Sequence, residues 1–149
     1  MKTNLYKSIS TCFGLGYISA LPGTLTSFIT LVIIWTIQVN LGIQITLLFV
    51  FFVSLIGYIA IEKNPDKTKD PKEIVIDEVI GQSFVLIFLP VTYQNYLLAF
   101  IFFRIFDIFK PYPIDYFENK YRNAFGVIFD DLIAAGYALL IIFIINNII

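Results

Sequence analysis

From Ile43 to Ile61 the chain carries no charged side chain. A helix over that stretch is about 28 Å long at 1.5 Å per residue, close to the thickness of a bilayer's hydrocarbon core. A surface helix of a soluble protein needs a polar face, and this segment has none. The whole chain leans the same way: 58% of its 149 residues are hydrophobic and only 14% are charged. Lipid is therefore the expected solvent for much of a single domain covering residues 1–149.

Further apolar segments flank this one. Leu25–Val39 is ended by Asn40 and Gly42. Ile74–Leu89 is interrupted early by Asp77 and Glu78 and closed by Pro90. Tyr96–Phe109 follows the turn "PVTYQN", and Leu132–Ile149 is almost wholly apolar. "EKNPDKTKDPKE" (Glu62–Glu73) reads as a solvated loop, and "KPYPIDYFENKYRN" (Lys110–Asn123) as an interfacial segment. The expectation is an all-α, polytopic membrane helix bundle of four to five membrane segments, the third short enough to be re-entrant. The N-terminal run "MKTNLYKSISTCFGLGY" is broken by Ser, Thr and glycines, so it is expected to stay in the mature protein.

Basic residues give the orientation. Lys2, Lys7, Lys63, Lys67, Lys69, Lys72, Arg104, Lys110, Lys120 and Arg122 all fall on one side of a five-crossing bundle. The opposite connections, near Asn40 and Thr92, have no Lys or Arg. The positive-inside rule then puts the N-terminus in the cytoplasm.

Absences narrow the chemistry. The chain has no histidine, which excludes a histidine base, a phosphohistidine and histidine metal ligands. Its single cysteine, Cys12, forms no internal disulfide and reads as an apolar filler. No Gly-x4-Gly-Lys loop supports ATP hydrolysis, and there is neither a Cys-x5-Arg loop nor an Asp-x-Asp-x-Thr run. A net charge of −1 argues against a nucleic-acid partner.

What remains is a gathering of charge at one interface. "ALPGT" precedes the first segment, Asp77 and Glu78 open the third, "RIFDIFK" ends the fourth, and Asp130 and Asp131 open the last. Ionisable groups near hydrocarbon are costly unless paired, hydrated or metal-bound. Asp77, Glu78, Asp107, Asp130 and Asp131 outnumber Arg104 and Lys110, and a hard cation such as Mg²⁺ would balance the excess. On a helix Arg104, Asp107 and Lys110 share one face, from which the two cations could meet a phosphate. Plainer readings stand beside this one. Arg104–Asp107 can be an intrahelical ion pair, and Asp130 or Asp131 a helix cap. Asp77 and Glu78 can be snorkelling interface charges, and "PGT" a turn capped by Thr24.

The runs "GLGYISALPGT", "IVIDEVIG", "FRIFDIFKPYPI" and "GVIFDDLIAAG" together resemble the phosphatidylglycerophosphatase A family, in that family's order, from about Gly14 to Gly136. Two departures stand out: Asn123 and Ala124 replace a Gly-Gly pair, and Ile18 and Ser19 stand where a Pro is common. The resemblance implies a Mg²⁺-dependent lipid phosphatase of the bacterial inner membrane, multi-pass, which hydrolyses phosphatidylglycerophosphate to phosphatidylglycerol and phosphate at the cytoplasmic interface. On that reading Asp77, Glu78, Asp130 and Asp131 hold one or two Mg²⁺, and Asp107 is a ligand or a ligand's partner. Arg104 and Lys110 bind the terminal phosphate. Thr24 and Ser27 hydrogen-bond a phosphate oxygen, and one carboxylate acts as base. The rival classes are a small transporter, or a non-catalytic membrane subunit, with a cation-binding carboxylate cluster.

Overall fold

The computed structural model describes residues 2–64, 72–121 and 123–148. Its helices are α1 (Lys2–Ser10), α2 (Pro22–Glu62), α3 (Ile76–Ile87), α4 (Tyr93–Phe109), α5 (Ile114–Lys120) and α6 (Ala124–Ile148), with a 3₁₀ turn at Leu15–Tyr17. Among the described residues there is no strand, so the all-α expectation holds. The loop expected over Glu62–Glu73 falls largely on residues 65–71, and these, with Lys67, Lys69 and Arg122, lie outside the described residues.

The expected four to five membrane segments are corrected. Two helices are long and apolar enough to cross a membrane, Pro22–Glu62 and Ala124–Ile148. The first and second expected segments are consecutive parts of α2. Helix α3 has 12 residues and α4 has 17, about 18 and 26 Å, short of a hydrocarbon core of about 30 Å.

Helix α2 does not run straight. At 41 residues it would be about 60 Å long, yet Gly42 interrupts it with a non-helical φ of 82° and ψ of 174°. Its two ends meet the same turns of α3. Gly23 packs against Glu78, while a β-carbon at Gly57 would lie 3.0 Å from Ile76 and Ile80. Both contacts can exist only if the chain reverses at Gly42. The first arm (22–41) therefore runs parallel to α3, and the second (43–62) returns antiparallel to it. Only glycine adopts that positive φ without strain.

Local chemistry sets the remaining helix ends. Pro22 occupies the first helical position of α2, where its missing N–H costs nothing. Thr24 is thus inside the helix and is not its cap. Thr92 caps α4, its Oγ1 accepting from the Asn95 N–H at 3.2 Å. Lys110 ends α4 in the left-handed region, φ 43°, with Pro111 next. At the start of α6, Asn123 Oδ1 accepts from the Gly126 N–H at 3.0 Å, and Glu62 Oε2 accepts from the Ala124 N–H at 3.3 Å. Asn123, a departure from the family pattern, thereby serves as a cap. Asp130 and Asp131 lie about two turns further in, too deep to cap the helix.

Buried Ile34 of α2, Val85 and Leu86 of α3, Ala99 and Phe103 of α4, and Ala134, Ala138 and Ile142 of α6 form the main core. The alanines let α6 approach closely, as small residues do in lipid-embedded bundles. Phe51, Phe52, Leu48 and Leu55 of α2 and Phe143 of α6 face outward, an apolar surface suited to lipid. Near the N-terminus the Ser10 carbonyl accepts from the Val75 N–H at 2.9 Å, and Gly16 packs on the Glu73 backbone. The N-terminal segment is thus fixed to the strand of chain that leads into α3.

Candidate active site

The start of α2, the start of α3, the end of α4 and the first turns of α6 meet at one end of the bundle. Asp77 and Glu78 occupy the first turn of α3, where the helix dipole favours negative charge. Asp131 reaches them from α6. One carboxylate oxygen from each of Asp77, Glu78 and Asp131 lies within 4.8 Å of the others. Asp77 Oδ1, Glu78 Oε2 and Asp131 Oδ2 are buried and have no hydrogen-bond partner.

Three acid oxygens drawn together out of water repel one another, a cost that a bound cation would offset. Mg²⁺ and Ca²⁺ take oxygen ligands at about 2.0–2.6 Å, which puts two ligand oxygens at most about 4–5 Å apart. The spacing, the all-oxygen donor set and the orphaned atoms fit a hard divalent cation. Asp77, Glu78 and Asp131 are the residues that would hold it.

The other expected site residues surround this trio. Asp130 is buried beside Asp131 but serves different partners. Its Oδ2 accepts from Lys110 Nζ at 3.0 Å, and its Oδ1 accepts from the Asp131 N–H at 3.0 Å. Asp107 Oδ2 lies 2.5 Å from Arg104 Nη1, so the intrahelical ion pair is present. The same Arg104 nitrogen stands 4.0 Å from Glu78 Oε1, and Arg104 Nε has no hydrogen-bond partner. Arg104 therefore borders the trio with donor capacity in reserve. Thr24 is half-buried next to Gly23. Ser27, a turn further along α2, is fully buried with its Oγ unpaired.

Two glycines bring the helices this close. A β-carbon at Gly23 would collide with the Glu78 carboxylate and lie 3.0 Å from Arg104 Nη2. A β-carbon at Gly81 would lie 2.8 Å from the Phe103 ring and 3.0 Å from Asp131 Cβ. Thr26, Gln82 and Ser83 were not singled out by sequence reasoning, yet each is buried with polar atoms unpaired. A neutral side chain in an apolar helix gives little sequence signal. Cys12 lies near Asp77 and Glu78, and burial first, then those two charges, push its thiol up to about 12. Cys12 packs against the smaller apolar cluster that holds Ile61, Ile74 and Ile76.

The family profile for phosphatidylglycerophosphatase A matches residues 8–146. The chain is 39% identical over 137 residues to a Haemophilus influenzae protein named phosphatidylglycerophosphatase A, covering 90% of this chain and 84% of that one. It is 30% identical over 148 residues to the Escherichia coli protein of the same name, covering 97% and 86%. A Bacteroides thetaiotaomicron protein, provisionally named a phosphatidylinositol-3-phosphatase, is 31% identical over 142 residues, covering 90% and 89%. No solved structure matches the chain.

Proposed function

This chain belongs to the phosphatidylglycerophosphatase A family and is a phosphatase; from that premise we propose that it is a Mg²⁺-dependent enzyme that hydrolyses phosphatidylglycerophosphate to phosphatidylglycerol and phosphate at the cytoplasmic face of a bacterial inner membrane. The observation that carries this reading is the meeting of three unpaired carboxylate oxygens, from Asp77, Glu78 and Asp131, beside Arg104. The relatives are named for phospholipids that bear a phosphomonoester on a polyol headgroup.

Each residue then has a task. Asp77, Glu78 and Asp131 hold the cation. When bound there, Mg²⁺ supplies charge neutralisation at phosphoryl oxygens and makes water more acidic. Arg104 presents guanidinium donors to the terminal phosphate, oriented by Asp107. Lys110, held by Asp130, adds a second positive charge. Thr24 donates its hydroxyl hydrogen to a phosphate oxygen. Water attacks phosphorus in line with the headgroup oxygen; one of the carboxylates takes the water's proton and passes it to the departing oxygen, so that the alcohol and phosphate leave.

The placement of charge supports the membrane disposition. Lys7 and Lys63 lie near the ends of α1 and α2, Lys72 precedes α3, and Arg104 and Lys110 stand beside the acids themselves. The far connections, at Gly42 and Thr92, lack basic residues. We therefore place the N-terminus and the site in the cytoplasm, in a multi-pass protein. The transporter reading needs acids along the depth of the bundle, whereas here they gather at one end. The test is phosphate release by the purified protein from phosphatidylglycerophosphate, with Mg²⁺ and with EDTA. Release with Mg²⁺ alone supports the proposal, and equal release in EDTA refutes the metal requirement.

A further inference from the structure

Among the described residues, every buried side-chain polar atom without a partner falls in one region: Asp77, Glu78, Arg104 and Asp131 at its charged end, and Thr26, Ser27, Gln82 and Ser83 beyond them. The first group answers to a cation and a phosphate. The second is neutral and has another use.

Its place follows from the helix geometry. The first arm of α2 and α3 start together at the acid trio and run parallel, with Gly23 against Glu78. One helical turn on, about 5.4 Å deeper, Ser27 stands over Gly23's face and Gln82 over Glu78's face. Both are fully buried. Ser27 Oγ, Gln82 Nε2 and Gln82 Oε1 have no hydrogen-bond partner, nor have Thr26 Oγ1 and Ser83 Oγ alongside. An amide unpaired at both ends in an apolar bundle carries a large desolvation penalty unless something meets it. A small-residue seam made only for helix packing has no need of glutamine.

We propose that Gln82 and Ser27 form the subsite for the hydroxyl of the substrate's polyol headgroup, the specificity-determining part of the site. This rests on the phosphatase reading above. A membrane-anchored phosphomonoester has its phosphate at the tip and its acyl chains in the bilayer, so the polyol lies between them. With the phosphate at Arg104 and the acid trio, the next hydroxyl along the headgroup falls about one helical turn inward, at the level of Gln82 and Ser27. Gln82 both donates and accepts, which suits a hydroxyl. A phosphate carried directly on diacylglycerol has no such hydroxyl and would leave the amide unpaired, a large source of discrimination.

The experiment compares phosphate release from phosphatidylglycerophosphate and from phosphatidic acid of the same acyl chains, in detergent micelles with Mg²⁺. The proteins are wild type, Gln82→Met and Ser27→Ala. The expected result is a wild-type preference in kcat/KM for the hydroxylated lipid that falls about tenfold or more in Gln82→Met and by less in Ser27→Ala. An active wild type whose preference is unchanged in both variants overturns the subsite alone, and water is then what satisfies these groups. So does an active wild type with no preference. A wild type inert on both lipids overturns the phosphatase reading, and the subsite with it.

Discussion

Gly23 of α2 presses against Glu78 of α3 so closely that a β-carbon at position 23 would occupy the carboxylate's space. This contact sets where Glu78 can point. Gly23→Ala must therefore push Glu78 away from Asp77 and Asp131 or part the two helices. The expected result is a fall in kcat/KM of about a hundredfold with the helical circular dichroism retained, because misplacement of about 1 Å has that effect on catalysis. Near-normal activity in Gly23→Ala would show that Glu78 is free to move without consequence.

Lys110 combines a strained backbone with a charge partner. Its φ of 43° is costly for a residue with a β-carbon, and its Nζ meets Asp130 Oδ2 at 3.0 Å. Lys110→Ala and Lys110→Gly both remove the cation and should lose activity alike. They should differ in stability: Gly accepts the left-handed geometry, so Lys110→Gly should be more stable than Lys110→Ala by about 1 kcal/mol. Parallel activity assays and thermal melts in detergent separate the two roles.

Asp107 holds Arg104, and it is not one of the three acids that converge. Asp107→Asn should loosen the guanidinium and raise KM for the phosphomonoester about tenfold, with little change in metal affinity. A loss of metal binding in this variant would instead place Asp107 among the ligands.

Gly42 makes the reversal that returns α2 to α3. Gly42→Ala forces a β-carbon into φ 82°. Destabilisation of about 1–3 kcal/mol is expected, while activity measured well below the melting transition should be nearly unchanged, since the site lies at the other end of both arms. An unchanged melting temperature would count against the reversal.

The acids and their approximate location were legible because charge in an apolar chain is conspicuous. Asp77, Glu78, Asp107, Asp130, Asp131, Arg104 and Lys110 were all marked, and all lie at one end of the bundle. Their division of labour was not legible. Whether Asp130 or Asp131 faces Asp77 depends on the phase of α6, and the apolar run that marks this helix in the sequence begins near Leu132, whereas the helix starts at Ala124. The capping role of Asn123 explains the difference, since a cap that far upstream adds two turns and moves both aspartates into the helix. The count of membrane segments failed for a related reason. Gly42 was read correctly as an end, but hydropathy alone does not show that α3 stops at Ile87 after 12 residues. Gln82 was invisible because an uncharged residue among Ile, Val and Phe acquires meaning only from its lack of a partner.

Asp77, Glu78 and Asp131 together would hold one divalent cation. The direct measurement is Mn²⁺ binding to the purified full chain, followed by electron paramagnetic resonance, in wild type and in Asp77→Asn, Glu78→Gln and Asp131→Asn. Saturable binding is expected in wild type, with an affinity at least about tenfold lower in each variant and helical content intact. Equal Mn²⁺ affinity in all four proteins would contradict it.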